Sequence, residues 1–80
     1  MANKQIVSPL PGTFYRRSAP DKPPFKAEGD IVAAGETIGL VEVMKSFQEI
    51  QAQFGGRIVR FLIDNEEAIM AGQPIADIES

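Results

Sequence analysis

The chain has 80 residues, of which 44% are hydrophobic and 24% charged, and a formal net charge of −3. That length fits one domain with a thin core, since so short a chain buries only about 60% of its unfolded surface, and the composition excludes wholesale disorder. With neither cysteine nor histidine, disulfides, thiolate chemistry, the usual general base and the usual metal ligand are all missing, and most independent catalysis is hard to build.

The acidic balance argues against a nucleic-acid surface, because Arg16 and Arg17 are the only adjacent basic pair. No apolar run approaches a membrane span, and the N-terminus lacks the apolar stretch of a secretory signal. The expectation is one cytoplasmic domain over residues 1–80, with no membrane partner.

In chain order, short β-rich segments bounded by turn residues fall at 5–8, 13–15, 37–43, 46–52, 57–63 and 74–79. Alternation is best where Ile38, Leu40 and Glu42 are set against Gly39, Val41 and Val43, and where Phe47, Glu49 and Gln51 are set against Gln48, Ile50 and Ala52. Residues 65–71 read as a helical turn at most, closed by Gly72. Ile6, Ile38, Leu40, Ile50, Ile58 and Ile75 are the expected core. Gly12, Gly35, Gly56 and Gly72 are expected to relieve backbone strain at turns.

A weak internal repeat organises these segments. Val32-Ala33-Ala34-Gly35-Glu36-Thr37-Ile38 parallels Ile69-Met70-Ala71-Gly72-Gln73-Pro74-Ile75 at an offset of 37, and Pro11-Gly12-Thr13-Phe14 parallels Gly55-Gly56-Arg57-Ile58 at an offset of 44. The first half therefore holds roughly seven extra residues. They are placed in 16–25, where Pro20, Pro23 and Pro24 favour a protruding loop. Two similar halves of short strands predict an all-β, pseudo-symmetric sandwich of two small antiparallel sheets, each half contributing to both.

Between strands ending at Val43 and beginning at Ser46 there is room only for a two-residue loop, Met44-Lys45. Such loops need positive φ, normally supplied by Asn, Asp or Gly, and neither Met nor Lys is suited to it. A broken local rule makes a functional reason more credible. Composition alone still favours an ordinary solvated lysine, with Met44 folded back on the sheet.

With those residues in place, the chain resembles the biotinyl and lipoyl carrier domains, whose modified lysine sits at a hairpin tip between two pseudo-symmetric halves. Glu42-Val43-Met44-Lys45 looks like the biotinyl form, in which Met precedes the lysine; lipoyl domains typically show Asp-Lys-Ala. The resemblance runs from Ser8-Pro9 through Gly29-Asp30, Val32, Gly35-Glu36 and Gly56 to Gly72-Gln73-Pro74. Gly12-Thr13-Phe14-Tyr15-Arg16 with Ala19-Pro20-Asp21 looks like the "thumb" of the carriers serving bacterial acetyl-CoA carboxylases. Two positions depart from the pattern. Ser46 stands where the family has Met or another large apolar residue, and Val43 where Ala is commoner.

The resemblance implies that a biotin protein ligase joins biotin to Lys45, and that the arm takes carboxyl at a biotin carboxylase and delivers it at a carboxyltransferase. That would serve acetyl-CoA carboxylation to malonyl-CoA in fatty-acid synthesis, with no catalytic residue and no metal in this chain. Met44 is expected to carry recognition, flanked by Val43 and Ser46, with Thr13, Tyr15 and Arg16 as possible thumb contacts. Glu42 and Glu49 would surround the tip with negative charge. The alternatives are a lipoyl carrier on the same scaffold, against which Met44 argues, and an unmodified adaptor, for which Ser46 is the best hint.

Overall fold

The computed structural model describes residues 3–79; residues 1, 2 and 80 of the expected 1–80 domain lie outside them. Eight strands are present: β1 (Asn3–Val7), β2 (Gly12–Tyr15), β3 (Ile31–Val32), β4 (Thr37–Val43), β5 (Ser46–Gln51), β6 (Gly56–Phe61), β7 (Glu67–Ile69) and β8 (Pro74–Glu79). They form two antiparallel four-stranded sheets, ordered β1-β8-β6-β3 and β5-β4-β2-β7. The expected all-β sandwich is present. The expectation missed β3 and β7, whose two and three residues are too short to show alternation. Residues 67–69 are extended, not helical.

The repeat is the symmetry of the molecule. Exchanging β1 with β5, β2 with β6, β3 with β7 and β4 with β8 converts the first sheet order into the second. The core follows the same offsets: Ile6 with Ile50 and Phe14 with Ile58 at 44, then Val32 with Ile69, Ile38 with Ile75 and Val41 with Ile78 at 37, all buried. Each half supplies one member of every pair, so neither could bury its apolar face alone.

Hydrogen bonds repeat as well. Gly29 donates to the Ile58 carbonyl and Glu66 to the Phe14 carbonyl, both at 2.7 Å. The Ala33 N–H donates to Glu36 Oε1 at 2.7 Å, and the Met70 N–H to Gln73 Oε1 at 2.9 Å.

A bulge at the foot of β4, between Thr37 and Gly39, explains the imperfect alternation, because a bulge adds one residue to one strand and lets successive side chains share a face. Ile38, Gly39 and Val41 are buried, whereas Leu40 is only half-buried, so Leu40 leaves the expected core. The matching bulge lies between Pro74 and Ala76, where Ile75 and Ala76 are both buried.

Gly35 and Gly72 take positive φ in matched turns, as expected. Gly12 serves close backbone approach instead: a Cβ there would lie 2.3 Å from the Glu42 carbonyl oxygen, and one at Gly56 would lie 2.6 Å from that of Glu79.

Residues 16–25 form the expected insert, and its root is closed. Arg17 and Pro24 form an isolated bridge, the Phe25 N–H donates to the Arg16 carbonyl at 2.9 Å, and that of Lys22 to Ala19 at 3.0 Å. The second half ties this root down. The Arg16 N–H donates to Asn65 Oδ1 at 2.8 Å, and the Arg16 guanidinium lies 4.1 Å from the centroid of the Phe61 ring.

Candidate functional site: the β4–β5 hairpin tip

β4 and β5 pair down to Val43 opposite Ser46, leaving Met44 and Lys45 as a two-residue turn. Both have positive φ, 50° and 67°, as the turn type that matches strand twist requires at its two central positions. For residues with a Cβ this is a strained conformation. Strain of this kind persists only where the surroundings over-determine it, and it gathers at functional positions.

Met44 is 94% exposed and makes no return to the sheet; Lys45 and Ser46 are exposed as well. Val43 is partly buried against the core, so it anchors the turn. The four expected residues thus divide into one anchor and three presented side chains.

One pair below, Glu42 faces Phe47, and Thr13 of β2 is in register with Glu42. The Tyr15 hydroxyl donates to Glu42 Oε1 at 3.0 Å, and its ring lies 5.7 Å from that of Phe47, tilted by 59°. Tyr15 is held above its ordinary pKa of 10.0, first by this hydrogen bond to a carboxylate, then by burial and the charges of Glu42 and Glu66. Glu49 accepts from the Thr37 hydroxyl at 3.1 Å and pairs with Leu40, midway along the hairpin. The expected negative charge of Glu42 and Glu49 is placed one pair below the turn and midway along the hairpin, each carboxylate accepting from a hydroxyl.

The insert borders, on this face of the second sheet, a partly open cavity of about 130 Å³ lined by Tyr15, Arg17, Ser18, Ala19, Pro20, Phe47, Asn65 and Glu66. Of the three expected thumb contacts only Tyr15 lines it. Arg16 is occupied with Phe61, and Thr13 lies outside the lining. Arg17 Nε is buried without a hydrogen-bond partner among the described residues. Sequence reading missed Arg17, Phe47, Asn65 and Glu66 as wall residues. The only available signal was Phe47, an aromatic two residues from the lysine; the other walls meet only through the tertiary fold.

The two-half β sandwich thus ends in a strained, exposed turn that carries Lys45. A family model described as "Biotin-requiring enzyme" matches residues 4–78, and the chain belongs to this biotin/lipoyl family. It is 42% identical over 74 residues to the biotin carboxyl carrier protein of acetyl-CoA carboxylase from Streptococcus pyogenes, covering 92% of this chain and 45% of that one. It is 41% identical over 70 residues to the protein of the same name from Chlamydia pneumoniae, covering 88% and 42%. The chain thus spans less than half the length of these relatives. Among solved structures, Kluyveromyces lactis urea carboxylase superposes with a TM-score of 0.78 at 26% identity, over 99% of this chain and 6% of that one.

Proposed function

We propose that residues 1–80 act as a biotin carboxyl carrier domain in the cytoplasm. Lys45 carries biotin as an amide of its ε-amine, and the domain presents that arm to a biotin carboxylase and then to a carboxyltransferase, serving acetyl-CoA carboxylation to malonyl-CoA. The observation that carries this reading is the Met44-Lys45 turn, where two residues unsuited to positive φ hold an exposed lysine at the end of the β4–β5 hairpin. Family membership and the carrier names of the relatives support it.

The residues present fit the group. Lys45 is exposed, and the cavity beside Tyr15 and Phe47 offers aromatic walls. When bound, biotin supplies the nitrogen that takes up and gives back a carboxyl group.

The chain's own residues position and present. Val43 fixes the turn to the core, and Met44 and Ser46 flank the amine for the biotin protein ligase. Tyr15, through Glu42 and Phe47, braces the hairpin. Amide formation removes the charge of Lys45 and leaves the domain one unit more negative. Tethering then raises the arm's local concentration at each partner site. The Lys45 ε-amine is the nucleophile when the amide forms; in the carboxyl transfer that follows, no side chain of this domain is required to act as acid, base or nucleophile.

The test is intact mass and peptide mapping after incubation with a biotin protein ligase, ATP and biotin, beside Lys45→Arg. One biotinyl group on Lys45, absent from the variant, is the expected result. A folded protein left unmodified by a competent ligase refutes biotin carriage. Modification by a lipoyl ligase would then identify a lipoyl carrier, and resistance to both an unmodified adaptor.

A further inference from the structure

Among the described residues Met44 is the most exposed large hydrophobic at 94%, against 67% for Met70, and it is the immediate neighbour of Lys45 in the same two-residue turn. Positive φ at both positions turns the pair out beyond the last strand pairing, Val43 with Ser46. Any enzyme that closes on the Lys45 amine must therefore bury Met44 against itself. A thioether so placed is open to attack without any opening of the fold, because oxidation of methionine follows exposure.

We propose that Met44 is a reversible oxidation site that controls modification of Lys45, an inference that rests on the carrier reading above. The oxidant is a peroxide. The Met44 sulfur attacks one peroxide oxygen, the O–O bond breaks, an S–O bond forms and hydrogen peroxide leaves as water, the sulfur losing two electrons and the peroxide gaining them. A dithiol-dependent sulfoxide reductase reverses the step: the sulfoxide oxygen leaves as water while two thiols become a disulfide.

The product is a polar, chiral sulfoxide where the ligase meets a flexible apolar side chain. Burying that oxygen without a partner carries the desolvation penalty of an unsatisfied polar group, which slows Lys45 modification by about tenfold or more. Ser46 offers no second large apolar side chain beside the lysine to compensate.

The test treats the folded protein with hydrogen peroxide, removes the oxidant, maps sulfoxide at each methionine over time, and measures the initial rate of ligase-dependent biotinylation. Met44 is expected to oxidise faster than Met70, the oxidised protein to be biotinylated about tenfold more slowly, and a methionine sulfoxide reductase to restore the rate. Met70→Leu should show the same loss, and Met44→Leu should keep its own rate, whatever that is, after peroxide. Met44 reacting no faster than Met70, or Met44-oxidised protein modified at the untreated rate, overturns the proposal. Failure of the untreated protein to accept biotin refutes the carrier reading instead, and the relative reactivity of the two methionines then still decides whether Met44 is the preferred oxidation site.

Discussion

Met44 and Lys45 occupy backbone conformations that a side chain with a Cβ disfavours by roughly 1–2 kcal/mol per residue. Asparagine tolerates this region better, through local hydrogen bonding of its short side chain. Met44→Asn is therefore expected to stabilise the domain by about 1 kcal/mol, raising Tm by about 4–8 °C. The same variant should be biotinylated more slowly, because the apolar side chain beside the lysine is gone. Thermal denaturation and initial biotinylation rates check the two halves separately. An unchanged Tm would mean that the turn holds no strain, and an unchanged rate would remove Met44 from recognition.

At the scale of the hairpin, the Tyr15–Glu42 bond and the Tyr15–Phe47 contact join β2 to both strands that carry the tip. Tyr15 is the only tyrosine in the chain, so the ultraviolet absorbance of its phenolate reads this one group. Its pKa in the folded state lies above 10.0. Losing the proton is therefore harder in the folded chain than in the unfolded one. The bond's contribution is complete below pH 10 and is lost as pH rises through the folded value. The titration midpoint should lie above 10.0 in the native protein and return toward it in Glu42→Gln, which removes the acceptor's charge. A native midpoint at or below 10.0 would show that the hydroxyl does not donate to Glu42 in solution.

For the whole molecule, the pseudo-twofold relation makes the lysine hairpin the counterpart of the paired β1 and β8. Asn3 and Glu79 pair beside Arg57, next to the Val32–Gly56 pair. Val32 leads in five residues to Thr37 at the foot of β4, so this end of the domain lies a full strand away from the tip. Gly12 and Gly56 are the matched close contacts of the two halves, each against a backbone carbonyl of its own sheet. Gly12→Ala and Gly56→Ala should each destabilise by about 1–3 kcal/mol, and the double variant by roughly their sum, since they share no partner. Urea denaturation measures all three. A negligible effect at Gly12 alone would break the equivalence.

Much of this was legible in the chain before folding. The repeat offsets foretold both the pseudo-symmetry and the insert, because equivalent strands must place equivalent residues in the core. The absence of Asn and Gly between Val43 and Ser46 marked the turn. Local sequence determined where strands could form and which lysine stood at an exposed tip, since hydrophobic period and turn chemistry act over a few residues. Tertiary structure decided the rest: β3 and β7 exist only because longer strands offer them pairing partners, and the bulges that bury Ile38 beside Gly39 arise from register between strands. The cavity joins Tyr15 and residues 17–20 to Phe47, Asn65 and Glu66, groups up to about fifty positions apart that meet only when the insert folds over the second sheet. Arg16 shows the same division, basic and available in the sequence, yet held against Phe61 by the second half of the fold.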